Sequence, residues 1–180
     1  VLVGVVGYML GTGLGVPRPI GWIGTVDGAG ATNLAPYSFF NMVAGDPPTF
    51  VFAPGNSARR DTLANVRAVP EFTINIVTDD VVEAMNSTAA ALEAGESEFD
   101  LPGSTAMASE RIRPPRVAEC RATIECVVEQ VVPVGAAEPG GNSLVIGHAV
   151  MFHVDEALLD GTRVDQAGLK AVGRHAGNTY

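Results

Sequence analysis

The stretch from Pro17 to Pro48 constrains the fold more than any other part of the 180-residue sequence. Residues 20–26 alternate between two faces as in a half-buried strand, with Ile20, Trp22, Gly24 and Val26 on one of them. Asp27–Gly30 then predicts a tight turn. The next segment, 33–41, carries three aromatic residues, two asparagines, a serine and a proline. We expect this segment to be irregular, with main-chain and short polar groups held beside something flat.

Further strands are predicted along the rest of the chain. Thr49–Phe52 is a short apolar run, and residues 72–76 alternate as in a half-buried strand. Residues 124–129 also alternate, with Glu125 and Glu129 on a wet face. A long strand over 144–154 is expected to form one face from Leu144, Ile146, His148, Val150 and Phe152.

Two helices are predicted between these strands. Asp61 is placed to cap a helix over about 62–69, with Leu63 and Val66 on its buried face. Asp79-Asp80 opens a second helix whose apolar stripe comprises Val81, Val82, Met85, Ala89 and Leu92. Because strands outnumber helices, the sequence predicts a mainly β fold with peripheral helices, arranged as an antiparallel barrel that is closed or nearly closed.

Composition narrows the class of protein. With 21 glycines, 12 prolines and 47% hydrophobic residues, the sequence favours many turns and short strands in one domain over residues 1–180. The net charge of −9 argues against a nucleic-acid partner. Residues 1–16 form an atypical N-terminal segment without charge, in which five glycines argue against a membrane span. Cys120 and Cys126, if on one strand, are about 20 Å apart and beyond disulfide reach, which predicts a reduced, cytoplasmic protein.

No side chain in the sequence is placed as an evident acid, base or nucleophile. We expect His148 to line the core or a pocket and His153 to be exposed, and no Gly-x-Ser-x-Gly motif occurs. Residue spacings typical of metal ligands are missing as well. We therefore predict no catalytic residue and no metal site, a pattern that fits an enzyme whose cofactor carries the chemistry.

The start of the first predicted helix is a candidate anion site. Free N–H groups and the helix dipole favour an anion there, and arginine adds a charged fork. Asp61 opposes this unless it caps the helix or pairs with an arginine. The alternative is a capped surface helix with two solvated arginines. The candidate residues are Asn56, Ser57, Arg59, Arg60 and Thr62.

The run PRPIGWIGTVDGAGATNLAPYSFFNMVAGDPPTFVF closely resembles the flavin reductase-like proteins, which have the FMN-binding split-barrel fold. The resemblance continues at residues 60–65, 71–75, 113–117, 144–147 and 173–174. It implies FMN as cofactor, NADH or NADPH as electron donor, and a homodimer with each flavin near the subunit interface. We expect Trp22, Ile23 and the aromatic segment to supply apolar interface surface. A partner monooxygenase is one acceptor open to the reduced flavin.

The resemblance also favours the anion site, because family members bind the FMN phosphate at about this position. It implies that main-chain groups of Asn33, Ala35 and Tyr37, with the Ser38 hydroxyl, pair with the flavin ring. Simple core packing is the alternative for the aromatic residues. The positions implied to hold the ring are Thr25, Asn33, Leu34, Ala35, Pro36, Tyr37, Ser38 and Asn41.

The C-terminal residues resemble the closing Arg-x-Gly-Gly-x-x-Tyr of the family, with Ala176 in place of the first glycine. This resemblance implies that Arg174, His175 and Tyr180 lie on the substrate side of the flavin. A frayed terminus is the other interpretation. Arg111–Arg116 is expected to be an extended linker or, alternatively, a wall near an anionic ligand.

Three functions stay open at this point. The first is transfer of hydride from NAD(P)H to flavin, and the second is an FMN-binding electron carrier without efficient NAD(P)H oxidation. The third is an interaction module that keeps the fold without flavin. No nicotinamide-binding motif separates the first two.

Overall fold

A computed structural model of the chain describes residues 4–55, 61–89, 96–135, 141–177 and 179–180. Its helices are α1 (Val5–Leu14), α2 (Asp61–Ala68), α3 (Val82–Ser87) and α4 (Gln166–Leu169). Its strands are β1 (Arg18–Pro19), β2 (Gly21–Val26), β3 (Thr32–Tyr37), β4 (Phe40–Gly45), β5 (Pro48–Phe52), β6 (Glu71–Ile76), β7 (Ala106–Met107), β8 (Arg116–Val117), β9 (Ala122–Val134), β10 (Asn142–Val154), β11 (Leu159–Asp160), β12 (Arg163–Val164) and β13 (Gly173–Arg174). The predicted mainly β fold with peripheral helices is confirmed.

Seven strands form one antiparallel sheet in the order β3-β2-β6-β9-β10-β5-β4. β9 and β10 are 13 residues each and make the longest pairing, with register shifts after Ile146 and after Ala149. The two edge strands, β3 and β4, are consecutive in the sequence. Three short ribbons, β1-β13, β7-β8 and β11-β12, lie outside this sheet.

The prediction that β2 and β6 are half-buried is wrong, because both faces of these strands are covered. All six residues of β2 are buried, and Thr73 and Asn75 of β6 are fully buried. One face packs a core that includes Ile23, Phe72 and α2, while the other packs Trp22 against α3 and Phe99. The polar side chains that were expected to face solvent form hydrogen bonds within the protein. Thr73 Oγ1, for example, donates to the Pro115 carbonyl over 2.9 Å.

The expectation of an irregular segment over 33–41 is also wrong. Residues 32–37 form β3, which pairs with β2 along its whole length, and β4 begins at Phe40. Pro36 is tolerated because β3 is an edge strand, where a missing N–H costs no ladder hydrogen bond. The predicted turn at 27–30 is confirmed, with Asp27 Oδ1 accepting from the N–H groups of Ala29 and Ala31 over 2.8 Å.

The apolar face expected on β10 is not the buried one. Ser143, Val145 and Gly147 are the buried residues, while His148 points outward. Gly147 allows close packing, since a Cβ there would lie 2.6 Å from the Phe72 ring. On β9, Glu125 is fully buried instead of wet, because the segment over 110–116 covers it. That segment is therefore packed onto β9 and is not a free linker, while a role as a wall near an anionic ligand stays a prediction.

The helices follow the prediction only in part. Leu63 and Val66 of α2 are buried as expected, and α3 is shorter than predicted, with Met85 buried. Leu92 lies outside the described residues. α1 has no buried residue, and its apolar side chains are widely exposed. None of the helices in the described ranges has the length and apolar character needed to cross a membrane.

Candidate functional site

A buried polar network joins β2, β3 and the first turns of α2. Asn33 Nδ2 donates to the Thr62 hydroxyl over 2.9 Å and to Thr25 Oγ1 over 3.2 Å. The Tyr37 hydroxyl also donates to Thr62, over 2.9 Å, and Asn65 Nδ2 donates to Thr25 over 3.1 Å. The structure thus brings together Thr25, Asn33, Tyr37 and Thr62, four of the positions singled out in the sequence.

This network fixes the start of α2 more than it offers groups to a ligand. Asn33 is the most exposed of its five members, at 8%. Thr62, at 1% exposed, accepts two hydrogen bonds, so its side chain is held in the core. Asn65 was not anticipated from the sequence. Its position three residues after Thr62 on the buried side of α2 is the signal that could have identified it.

Four of the predicted phosphate ligands, Asn56, Ser57, Arg59 and Arg60, lie outside the described residues. The structure places Thr62 in the first turn of α2, which begins at Asp61. The location of an anion site at this helix start therefore stays a prediction.

The outer edge of β3 is partly occupied by the protein itself. The Leu34 N–H donates to Glu98 Oε2 over 2.9 Å. Because N–H groups alternate in direction along a strand, those of Asn33, Ala35 and Tyr37 face β2. Pro36 has no N–H to offer. Ala35 and Pro36 are half-buried, so this edge offers a ligand mainly side-chain surface and carbonyl oxygens.

Glu98 is a second group that the sequence did not reveal. Burial raises the pKa of Glu98 above its ordinary value, and the hydrogen bonds from Leu34 and from its own N–H only partly offset this. A short polar segment gives no sign that its carboxylate will cap a strand 64 residues earlier.

A cleft of about 300 Å³ lies beyond the end of β3. It is bounded by α1, the β1-β13 ribbon and the C-terminal residues. Its lining residues are Tyr8, Met9, Thr12, Arg18, Ser38, Arg174, Ala176 and Gly177. The cleft thus contains one predicted ring-binding residue, Ser38, and one predicted substrate-side residue, Arg174.

Arg18 holds the walls of this cleft together. Its Nη1 donates to the carbonyls of Thr12 over 2.6 Å and Gly15 over 3.1 Å, at the end of α1. Its Nη2 donates to the His175 carbonyl over 3.1 Å, and its Nε to the Ser38 hydroxyl over 3.3 Å. The sequence motif contains Arg18, but nothing in it pointed to a partner 157 residues away.

The C-terminal residues are folded back onto the protein. Arg174 lies over the Tyr180 ring, 4.6 Å from its centroid, and bonds the Tyr180 hydroxyl and the Gly177 carbonyl. Tyr180 in turn donates to Asn86 Oδ1 over 2.7 Å, which ties the tail to α3. His175 takes part in the cleft through its main-chain carbonyl, which accepts from Arg18. Asn41, a predicted ring-binding residue, is exposed on β4, where its Oδ1 accepts from the Met42 N–H. The frayed terminus is therefore not what the described residues show.

Each histidine on the sheet has a carboxylate partner away from this cleft. His148 Nδ1 lies 2.9 Å from Glu129 on the outer surface. His153, expected to be exposed, is half-buried and lies 2.7 Å from Glu125. Burial raises the pKa of the Cys120 thiol to about 12, so it offers no thiolate. Within the described ranges, no group of His, Cys, Asp and Glu is arranged to hold a metal ion.

Glu125 belongs to a buried charge cluster instead of a catalytic one. Its carboxylate accepts from the N–H groups of Glu110 over 2.8 Å and Arg111 over 2.7 Å, and Arg116 Nε lies 3.8 Å away. Burial by itself raises the pKa of Glu125, but these N–H groups and His153 outweigh it and hold that pKa below its ordinary value. The cluster fastens the covering segment onto β9.

Comparison with known proteins gives the chain its place. A family model described as flavin reductase like domain matches residues 13–168. Nitrilotriacetate monooxygenase component B from Bacillus cereus is 38% identical, with a TM-score of 0.94 over 99% of this chain and 90% of that one. The Pseudomonas fluorescens 2-nitrobenzoate 2-nitroreductase NbaA is 30% identical, with a TM-score of 0.88 over 99% and 87%. A split-barrel protein of Shewanella frigidimarina, 24% identical, has a TM-score of 0.85 over 97% and 86%, which confirms the predicted split-barrel fold.

Proposed function

The chain belongs to the flavin reductase-like family, and on that premise we propose that it binds FMN and transfers hydride from NADH or NADPH to the flavin. The observation that carries this proposal is the layout of β3. Asn33 and Tyr37 both bind the strand to Thr62 at the start of α2, and Ser38, just beyond the end of the strand, lines the cleft. At about 3.3 Å per residue, Asn33 and Ser38 are about 17 Å apart, a span that suits an elongated ligand with one anionic end.

The donor set fits such a ligand. The start of α2 follows Arg59 and Arg60 in the sequence and favours a phosphate by its free N–H groups and dipole. Ala35 and Pro36 are half-buried on opposite faces of β3, and each offers apolar surface beside this edge. Bound FMN would supply the electron-accepting chemistry, which none of the described side chains provides.

The protein's own residues would bind, orient and neutralise. The network of Thr25, Asn33 and Thr62 fixes α2 relative to β3. The phosphate end and the ring end of the ligand would therefore be positioned at the same time. Arg18 and Arg174 place positive charge beside the cleft, which favours electron-rich groups there. Substrate-side roles for Arg174, His175 and Tyr180 belong to this proposal.

A homodimer is part of the proposal, with a different interface from the one expected. Trp22 and Ile23 are fully buried within one chain and cannot contact a second copy. Phe39, Met42 and Val43, at 43%, 47% and 57% exposed, form an apolar surface on and beside the edge strand β4. Surfaces of this kind commonly mark interfaces.

The similarity to a monooxygenase component B supports one destination for the electrons. We propose that reduced flavin supplies a partner oxygenase. A tightly bound flavin that acts as an electron carrier is the second candidate, and rates distinguish the two.

The test of the proposed function is direct. FMN is titrated into the purified protein while flavin fluorescence is recorded. Oxidation of NADH and NADPH is then followed by absorbance with and without FMN. Enzymes ordinarily turn over roughly 1–10³ times per second, which sets the scale for this rate. Binding with flavin-dependent turnover supports the reductase. Binding without turnover supports the carrier, and no binding contradicts both.

A further inference from the structure

Two arginines of the cleft carry positive charge without a carboxylate partner in the part of the chain that the structure describes. Arg18 bonds to three carbonyls and the Ser38 hydroxyl, and Arg174 to a carbonyl and the Tyr180 hydroxyl. All of these partners are neutral. Three other arginines do pair with carboxylates, namely Arg113 with Glu71, Arg116 with Glu125 and Arg121 with Asp155.

The two charged residues are also direct neighbours across a ribbon. Arg18 of β1 and Arg174 of β13 are register partners in an antiparallel pair. Residues in such positions have Cβ atoms about 5 Å apart, and like charges there are destabilising. Neutral acceptors bind both guanidinium groups, but no carboxylate among the described residues offsets the repulsion between them, and a bound anion would do so.

The cleft is suited to receive an anion. None of its lining residues is acidic, although the protein carries a net charge of −9. A guanidinium has five N–H donors, and two of those on Arg174 are used in the described structure. No hydrogen bond among the described residues uses its other three donors, which suits them to a ligand. Arg18 uses four of its five donors and acts mainly by charge and by fixing the walls.

We propose that this cleft is a subsite for an anionic group of the second substrate, bound by Arg174 and supported by Arg18. The inference rests on the proposed function only in assigning the anion to a second substrate. Phosphate and carboxylate share the chemistry that a guanidinium recognises. The phosphate would come from a nicotinamide dinucleotide, and the carboxylate from an organic electron acceptor.

The test is calorimetric titration of FMN-saturated protein with sodium pyrophosphate and, separately, with sodium benzoate. Saturation with FMN keeps the flavin-phosphate site from taking the probe. Arg174→Gln is expected to weaken the anion that binds by about tenfold or more, the scale of a lost charge-assisted hydrogen bond. Pyrophosphate binding lost in this way assigns the subsite to a phosphate, and benzoate binding lost in this way assigns it to a carboxylate.

Arg163→Gln is the matched control, because it removes the same charge at an exposed position on β12. Equal weakening in Arg163→Gln and Arg174→Gln, or no weakening in Arg174→Gln, overturns the proposal. If Arg174→Gln fails to fold, Arg174→Lys keeps the charge and loses the fork, and the same comparison is made with it.

Flavin fluorescence in the same samples separates this inference from the proposed function. If the protein takes up no FMN, the anion titration is repeated without flavin. Anion binding that depends on Arg174 then supports the subsite, although the proposed function fails. If FMN binds and turnover depends on it, but Arg174 has no role in anion binding, the proposed function is supported and the subsite is refuted.

Discussion

Asn33 Nδ2 donates a hydrogen bond to the Thr62 hydroxyl over 2.9 Å, and this contact joins the edge strand β3 to the first turn of α2. Both residues are buried, at 8% and 1% exposed. The two parts of the candidate flavin site therefore cannot shift independently without breaking a buried polar contact. Thr62 is accordingly a structural anchor as well as a candidate ligand.

Thr62→Val is expected to lower the free energy of unfolding by about 1–3 kcal/mol, because Asn33 and Tyr37 lose the acceptor that they share. Urea unfolding measures the change. Thr49→Val, which removes a single bond to the Pro47 carbonyl, is the control and should cost less than about 1 kcal/mol. A smaller effect at Thr62 than at Thr49 would contradict the anchoring role.

Arg60→Ala should weaken FMN binding by about one to two decades, the worth of a charge-assisted hydrogen bond. Riboflavin, which lacks the phosphate, should bind mutant and parent equally. Calorimetric titration of both ligands measures this, with Arg59→Ala to detect shared binding. Arg67→Ala, in the last turn of α2, controls for the change in charge. Equal weakening of riboflavin and FMN would mean that Arg60 supports the fold instead of the phosphate.

Glu125→Gln should destabilise the protein by about 3 kcal/mol, because it removes one partner of a buried charge cluster. Since the pKa of Glu125 is lowered on folding, its contribution is fully present above the unfolded pKa and is lost as pH falls through the folded pKa. Thermal unfolding across the acid range should therefore show a steeper loss of stability in the parent than in Glu125→Gln. Glu129→Gln, on the same strand but half-exposed, should stay within about 0.5 kcal/mol of the parent.

Replacing His148 or His175 by alanine should leave flavin-dependent NAD(P)H oxidation within tenfold of the parent, because neither imidazole is placed as a general base in the described structure. His153→Ala should instead lower stability, since it removes a partner of buried Glu125. Steady-state kinetics and thermal unfolding on all three proteins distinguish these effects. A loss of kcat of about 100-fold or more at His148 or His175 would show that an acid–base group was overlooked.

Val43→Glu is expected to convert the proposed dimer to a monomer, because it puts a charge on the exposed apolar surface of β4. Light scattering at micromolar concentration measures the mass. Leu159→Glu, an exposed apolar position on β11, serves as the control and should remain dimeric. A parent mass near 18.6 kDa would refute the dimer itself.

The sequence predicted the strands of this fold better than their surroundings. Alternation located β2 and β6, yet their polar positions were taken as wet. Asn75 shows why: its Nδ2 donates to the Trp22 carbonyl and its Oδ1 accepts from the Val117 N–H, so it is polar and fully buried. Periodicity records which residues are polar, and it cannot record whether water or protein bonds them.

The structure places some of the residues singled out in the sequence close together, but their contacts were not foreseen. The resemblance identified Asn33, Ser38 and Arg174, which the structure places in the network or at the cleft. Glu98 and Arg18 were not foreseen in their roles, because each acts on a residue far away in the chain. Contacts between distant segments depend on how the layers pack, which local patterns do not encode.

The two edges of the main sheet differ in what they could recruit. On β3, Pro36 offers no N–H and Glu98 already bonds that of Leu34, so an added strand would find few donors there. On β4, which is the other edge of the sheet, β5 is the one strand paired with it in the described ranges, and no similar block is found there. A sheet with one blocked and one open edge can add a single neighbour and then stop. Polymerisation edge to edge, which needs two open edges on every copy, is thereby disfavoured by Pro36 within β3 and by Glu98, whose carboxylate bonds this strand from the segment 98–100.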